Sequence, residues 1–324
     1  MLLQGIFPAL TTPFYGDGRV YYRKIEHNTD RYSRTPVAGM VALGSTGEAV
    51  MLSDEEKCEV LRVTRENAAP EKVLIAGTGA ESAIETLRLT DYAAQLGYDA
   101  ALVRTPFYYR SQVTGEAGKR AQLTFYRYVA DRSPLPVILY SVPPFTAYDL
   151  PVDVVAELAE HPNVIGLKES SGDVERVREL VERTKTAKKT FTVTHTFEAA
   201  TGRMLSSNNG AAEGLLTQIG GVAVQAPAGV RTRTKEVSFQ VMVGAAHKLL
   251  PSLEVGATSA VLAFASPAPT ACFEVYAAWK DHDLPLAALK QERIFLDGLE
   301  AAVPEPTGNR SILTYRREDA RAEG

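Results

Sequence analysis

The sequence predicts an α/β fold, a (β/α)8 TIM barrel with a small C-terminal helical appendage. Eight short runs are apolar throughout instead of alternating with polar residues, which is typical of parallel strands buried on both faces. Amphipathic stretches lie between nearly all of these runs, as in a barrel of repeated strand–helix units. An open doubly wound sheet would usually carry a GxGxxG turn after its first strand. Here the first run ends in TTPF, so the barrel is favoured.

The strand candidates are nearly regularly spaced at first, and then one long interval follows. They begin near Gly5, Gly39, Lys72, Ala100, Pro136, Val164, Phe239 and Ala260. The first six starts are 28 to 36 residues apart, whereas 75 residues separate Val164 from Phe239. This interval predicts an insertion at about 185–237, which we interpret as a surface excursion with some short strands; an artefact of gene prediction is the alternative. The predicted organisation is a catalytic barrel over 1–268, a helical appendage over 269–301 and an irregular tail over 302–324.

Helical patterns with recognisable end signals fill the intervals. They cover about 53–67, 82–96, 152–161, 270–281 and 285–299, and the last two form the appendage. Ser53 followed by Glu56 is a capping signature for the start of a helix. Gly97 and Asn163 follow two of the patterns and are interpreted as helix stops.

Composition and charge exclude several classes of protein. Lys plus Arg total 35 and Asp plus Glu 39, so the net charge of −4 argues against a nucleic-acid binder or a polybasic membrane protein. Two cysteines cannot form a disulfide framework, and five scattered histidines lack the spacing of a metal site. Neither a signal peptide nor a membrane span is visible, so we expect a cytoplasmic protein.

Polar residues that end the apolar runs are the candidate site residues, because active sites of such barrels lie at the carboxyl ends of the strands. The second run ends in the Ser-Thr-Gly turn at 45–47, whose backbone N–H groups can hold a carboxylate; a plain strand-to-helix turn is the alternative. The sixth run ends in Lys168. Burial lowers the pKa of a lysine and frees its amine for Schiff-base formation with a ketone. The alternative is a structural ion pair with Glu48 or Glu169.

Five motifs in one order carry a family resemblance. They are GIFPALTTPF, GSTGEAVMLS, the Tyr-Tyr pair after Pro106, ILYSVP and IGLKESSG. In these motifs the chain resembles the pyruvate-dependent class I aldolases of the dihydrodipicolinate synthase and N-acetylneuraminate lyase family. The likeness is close from residue 5 to about 184 and resumes from about 239 to 293. It implies a TIM barrel, a lysine Schiff base, no cofactor, a small 2-oxo acid as substrate and a homodimer or homotetramer.

The resemblance implies catalytic roles for four residues. Lys168 would form the imine with the 2-oxo acid. Tyr140 would lie above it and shuttle protons during imine formation and carbon–carbon cleavage. Thr46 matches the hydroxyl that relays protons to this tyrosine. Tyr108 matches the tyrosine that reaches the neighbouring subunit's site to complete the relay.

The resemblance also implies substrate-binding residues. The backbone N–H groups of Ser45 and Thr46, or of Thr46 and Gly47, would hold the pyruvoyl carboxylate. Leu262 matches an apolar residue beside the lysine. Ser170 and Ser45 are candidates for the distal end of the substrate.

The residue at position 145 bears on which reaction is catalysed. Dihydrodipicolinate synthases normally carry an Arg there for the substrate's carboxylate, and Phe145 cannot form that charge-assisted pair. The stretch YSVPPFTAYDLPVDVVAELAEHPNVIGLKESSGD is most similar to the branch with 4-hydroxy-2-oxoglutarate aldolases. We therefore expect cleavage of a short 2-oxo acid to pyruvate and an aldehyde. Dihydrodipicolinate synthesis or keto-deoxy sugar-acid dehydration or cleavage is the alternative. The sequence after 293 departs from the family, which leaves a non-catalytic barrel as a further alternative.

Overall fold

A closed barrel of eight parallel strands forms the centre of the molecule. The computed structural model describes residues 1–112, 114–206 and 230–301. The strands are β1 (Gly5–Pro8), β2 (Gly39–Ala42), β3 (Val73–Gly77), β4 (Ala100–Arg104), β5 (Val137–Ser141), β6 (Val164–Glu169), β7 (Lys188–Thr194), β8 (Thr232–Ser238), β9 (Gln240–Val243) and β10 (Ser259–Leu262). Eight of them are hydrogen-bonded in the order β1-β10-β9-β6-β5-β4-β3-β2, and a parallel bridge from Ala9 to Val41 closes the ring. The predicted TIM barrel and its eight strand positions are confirmed.

Helices connect the strands and cover the barrel. They are α1 (Tyr22–Ser33), α2 (Asp54–Asn67), α3 (Ala83–Leu96), α4 (Gly115–Arg132), α5 (Pro143–Thr146), α6 (Val152–Ala159), α7 (Val174–Thr184), α8 (Leu249–Glu254), α9 (Pro269–Lys280) and α10 (Leu284–Ala301). The predicted capping box of Ser53 and Glu56 is present, and Gly97 ends α3 with φ +84°. Asn163 is not the stop of α6, which ends at Ala159; its side-chain amide instead donates to nearby backbone carbonyls.

The barrel strands separate two apolar layers because successive side chains point to opposite faces. The inner layer includes Phe7, Ile75, Ile138, Met242 and Val261, all buried. The neighbouring residues on the same strands pack outward against the helices. This alternation, together with the strand register, determines which polar side chains enter the interior at the carboxyl end.

The segment between α7 and β9 closes the amino end of the barrel. In this segment β7 and β8 form an antiparallel pair, so the predicted short strands are present. The interpretation as a surface excursion is wrong for part of it, because Phe191 and Ala199 pack against the inner layer and Arg203 is buried. The Arg203 guanidinium donates to the carbonyls of Lys72 and Gly97, which lie at the amino ends of β3 and β4. The rest of the predicted insertion, 207–229, lies outside the described residues.

The two C-terminal helices pack against the barrel, as the predicted appendage requires. Cys272 and Val275 of α9 are fully buried, and the Gln291 side chain of α10 binds the backbone at Leu250 and Ala246. The predicted tail over 302–324 lies outside the described residues. Within the part of the chain that the structure describes, no helix has the length and apolar character needed to cross a membrane.

Candidate active site

A cavity of about 720 Å³ opens at the carboxyl ends of the strands. Its lining includes Ser45, Arg104, Tyr108, Tyr140 and Phe145. The cavity therefore lies on the face that carries active sites in barrels of this type.

Lys168 is buried at the carboxyl end of the barrel, with a residue exposure of 5 %. Register places it beside Tyr140 on β5, and its Nζ donates to the Tyr140 hydroxyl over 3.2 Å. The same Nζ lies 4.3 Å from the centre of the Tyr140 ring. Glu169, considered as a structural partner, instead forms an ion pair of 2.9 Å with Arg176. The lysine amine is thus held against a second titratable group.

Tyr140 joins the lysine to the turn that follows β2. Its hydroxyl lies 3.3 Å from Ser45 Oγ, and the residue is 5 % exposed. Burial by itself raises the pKa of a tyrosine, but the adjacent positive charge of Lys168 and the hydrogen bonds from Ser45 and Lys168 outweigh this and lower the pKa of Tyr140. A phenol with a lowered pKa exchanges its proton more readily near neutral pH.

The Ser45–Gly47 turn differs in one respect from the sequence prediction. Ser45, not Thr46, places its hydroxyl at Tyr140, so this geometry favours Ser45 for the relay that was predicted for Thr46. The turn is a single 3-10 segment, in which adjacent side chains point in different directions, and this explains the shift by one residue. The N–H of Gly47 donates to the carbonyl of Gly44 over 3.0 Å. Of the two amide pairs predicted to hold a carboxylate, this geometry favours Ser45 with Thr46.

Two other predicted site residues, Ser170 and Leu262, differ in where their side chains lie. Ser170 follows β6, and its buried Oγ lies close enough to Tyr140 to help lower the pKa of that tyrosine. Leu262 was predicted beside the lysine but belongs to the outer layer. Its neighbour Val261 faces the interior together with Met242, which is paired in register with Lys168. The prediction is wrong by one residue, because side chains of a strand alternate between its faces.

The loop after β4 presents Tyr108 at the rim of the cavity. Tyr108 is 73 % exposed and packs edge-on against Tyr109, with ring centres 5.1 Å apart. Phe145, on α5, is 69 % exposed and lines the same cavity. The prediction that Tyr108 completes a neighbouring subunit's site stays a prediction.

Sequence reasoning missed two residues that hold this loop. Glu81 accepts hydrogen bonds from the backbone N–H groups of Phe107 and Tyr108, each over 2.9 Å. Its other carboxylate oxygen binds Arg104 over 2.7 Å. Arg104 could have been found, because it is the charged residue that ends the apolar run of β4, as Lys168 ends that of β6.

The cations that line the cavity are paired with carboxylates. Lys57 binds Asp54 over 3.1 Å, and Arg88 binds the same carboxylate over 2.8 Å. Arg104 is bound to Glu81, as described above. Each of these cations is therefore partly neutralised by the protein itself.

Comparisons with known proteins agree with this fold and indicate a family. The dihydrodipicolinate synthetase family model matches residues 2–215. The 4-hydroxy-tetrahydrodipicolinate synthase of Methanothrix thermoacetophila is 35 % identical over 225 residues, 69 % of this chain and 72 % of the relative. That of Natronomonas pharaonis is 38 % identical over 181 residues, but these are only 56 % of this chain and 59 % of the relative. The structure of the Acinetobacter baumannii dihydrodipicolinate synthase complexed with pyruvate is 27 % identical, with a TM-score of 0.72, covering 94 % of this chain and 85 % of that one.

Proposed function

The chain belongs to the dihydrodipicolinate synthetase family, and we propose that it is a Schiff-base lyase that cleaves a short 2-oxo acid, such as 4-hydroxy-2-oxoglutarate, to pyruvate and an aldehyde. One observation carries the proposal. The buried Nζ of Lys168 lies 3.2 Å from the hydroxyl of Tyr140, at the ends of two adjacent strands. An amine and a proton donor side by side are what imine formation requires.

Each step of the proposed reaction has a residue within reach. The Lys168 amine adds to the C2 carbonyl, and Tyr140 protonates the carbinolamine hydroxyl, which leaves as water. The protonated imine withdraws electrons from the bond between C3 and C4. When that bond breaks, the C4 hydroxyl gives its proton to the Tyr140 phenolate and becomes the aldehyde carbonyl. Tyr140 returns this proton to C3 of the enamine left on Lys168, and hydrolysis of the resulting imine releases pyruvate.

The turn after β2 supplies the remaining contacts in this proposal. The N–H groups of Ser45 and Thr46 hold the carboxylate of the 2-oxo acid, and the Ser45 hydroxyl passes protons to Tyr140. The exposed Tyr108 completes the relay of a second subunit in a homodimer or homotetramer. No cofactor takes part, because the imine itself is the electron sink.

The distal end of the substrate decides between two reactions. Phe145 stands where an arginine binds a carboxylate in dihydrodipicolinate synthases, and the cations of the cavity are paired internally. In 4-hydroxy-2-oxoglutarate the distal group is the C5 carboxylate, which the hydroxyls of Ser170 and Ser45 would hold without a guanidinium. A second candidate is condensation of pyruvate with aspartate semialdehyde, which the names of the relatives favour.

Parallel assays with the two substrates test the assignment. We expect pyruvate release from 4-hydroxy-2-oxoglutarate at a rate at least ten times higher than consumption of aspartate semialdehyde with pyruvate. The substitution Phe145→Arg should lower the ratio of the cleavage rate to the condensation rate, because it introduces a guanidinium at this position. A hydrogen bond from that group to a carboxylate is worth about 1.5–3 kcal/mol. A higher rate with aspartate semialdehyde in the unaltered protein would contradict the proposed cleavage reaction and support the synthase. No turnover in either assay, with the protein folded, would support the non-catalytic barrel.

A further inference from the structure

We propose that Glu81 is a positioning residue that fixes the loop carrying Tyr108 over the cavity. The inference rests on the proposed function, in which Tyr108 belongs to the proton relay. It goes further by naming the group that places the tyrosine. Glu81 lies between β3 and α3, next to the loop in space but 27 residues from Tyr108 in the chain.

The Glu81 carboxylate accepts hydrogen bonds from three donors at the base of this loop. Its Oε2 accepts from the N–H groups of Phe107 and Tyr108, each over 2.9 Å, and its Oε1 accepts from Arg104 Nη1 over 2.7 Å. Hydrogen bonds to an ionised acceptor are about twice as strong as those between neutral groups. Tyr108 is 73 % exposed, so burial of this residue does not fix the loop.

Arg104 holds the carboxylate from the opposite side. It ends β4, its Nη1 also donates to the carbonyl of Thr105 over 3.2 Å, and its guanidinium carbon lies 4.6 Å from the centre of the Phe107 ring. Gly79 makes room for it, because a Cβ there would lie 2.8 Å from Arg104 Cγ. The ends of β3 and β4 are thus tied together directly beneath the tyrosine.

The chemistry of a relay explains why such a clamp matters for rate. Proton transfer needs heavy atoms within about 2.6–3.2 Å of each other. A displacement of ~1 Å by a change outside the reacting groups can reduce the rate by about 100-fold. A free exposed loop would place the Tyr108 hydroxyl correctly only part of the time.

Glu81→Gln tests the clamp because it keeps the size of the side chain and one acceptor but removes the charge. We expect kcat to fall about 10- to 100-fold, while KM and the trapping of pyruvate on Lys168 by borohydride change less than about twofold. In a Tyr108→Phe background the same substitution should lower kcat by less than about twofold, because the relay is already broken. Arg104→Gln, measured in parallel, should likewise lower kcat while KM changes less than about twofold.

Glu157→Gln is the matched control, because Glu157 forms an ion pair with Arg127 on the surface, away from the cavity. It should leave kcat within about twofold. The positioning role would be overturned if Glu81→Gln lowered kcat equally in the unaltered protein and in Tyr108→Phe, or if it did not lower kcat at all. A failure to trap pyruvate on Lys168 in the unaltered protein would overturn the proposed function itself, and the positioning role with it.

Discussion

Each end of the barrel buries a lysine, and the partners of the two amines differ. Lys72, at the amino end, is 9 % exposed, and its Nζ donates to the carbonyls of Thr35 and Val37 over 2.8 and 3.0 Å. Lys168, at the carboxyl end, donates to the hydroxyl of Tyr140 beside a cavity. Burial lowers the pKa of Lys72, although its amine is bound to backbone carbonyls. Burial of a lysine therefore does not mark a reactive site; a titratable partner beside open space does.

The surrounding polar groups follow the same division between the two ends. At the amino end the Arg203 guanidinium lies 3.4 Å from the buried Asp99 carboxylate, which also accepts from the N–H of Leu74. At the carboxyl end the hydroxyls of Ser45 and Ser170 lie around Tyr140 and help to lower its pKa. The amino end thus holds a buried ion pair, whereas the carboxyl end holds hydroxyl groups around a titratable phenol.

The largest expected effect comes from replacing Lys168 with an apolar residue. Lys168→Met should lower turnover by ~10⁴-fold or more, since the nucleophile is lost. Its melting temperature should stay the same or rise, because replacing a buried charge with a well-packed apolar side chain is often neutral or stabilising. Steady-state kinetics and thermal unfolding of the same sample check both statements. Full turnover in this variant would end the proposed mechanism.

Tyr140→Phe should lower kcat by about 10²- to 10⁴-fold through loss of the proton shuttle. Because the pKa of Tyr140 is lowered, its phenol should ionise at a pH below 10, and rates that need the neutral phenol should decline there. This alkaline decline should be absent in the variant. Tyr98→Phe is the control, since that buried hydroxyl donates to the carbonyl of Leu61, and neither residue lines the cavity. A pH profile unchanged by Tyr140→Phe would contradict the assignment.

Arg203→Met should act on stability alone. It leaves the Asp99 carboxylate buried without its guanidinium, and breaking such a pair costs about 3–5 kcal/mol. Urea unfolding measures the loss, and kcat per folded molecule should stay within about twofold. A loss of activity in the folded protein would show that the amino end influences the site.

Lys72→Met should have a smaller effect on stability. It removes two hydrogen bonds to carbonyls but also a buried charge, so we expect a net loss of ~1–3 kcal/mol. Turnover and pyruvate trapping should be unaffected. A reduced yield of trapped pyruvate in this variant would mean that both lysines react.

Ser45→Ala should give the smallest change in kcat of these variants. Comparing it with Thr46→Ala shows which of the two hydroxyls acts on Tyr140. Removing the Ser45 hydrogen bond should raise the pKa of Tyr140, so the alkaline decline in rate should move to higher pH. We expect a loss of less than about tenfold in kcat, larger than for Thr46→Ala. The opposite order would restore the relay to Thr46, as the sequence first predicted.

Sequence reasoning identified the candidate catalytic pair because both residues lie at the ends of buried apolar runs, which the sequence alone shows. Lys168 and Tyr140 each close an apolar strand, and parallel register then brings them together. The errors came from side-chain direction. Ser45 takes the place predicted for Thr46, and Val261 that predicted for Leu262, because a shift of one residue in a turn or strand changes the face.

Contacts between distant parts of the chain gave no signal in the sequence. Arg203 binds the carbonyl of Lys72 across 131 residues, so the predicted insertion looked like a surface excursion. The hydrogen bonds of Glu81 go to backbone N–H groups, which every sequence contains. Neither contact leaves a pattern of residue types, so only the folded structure reveals them.

The most direct test of the contrast between the two lysines is borohydride reduction in the presence of pyruvate, followed by intact mass measurement and peptide mapping. The account predicts one reduced pyruvate adduct per chain, on Lys168, and none on Lys72. Loss of the adduct in Lys168→Met, with the protein still folded, would confirm the site. An adduct on Lys72, or no adduct on the folded protein, would contradict the claim that Lys168 beside Tyr140 is the reactive lysine.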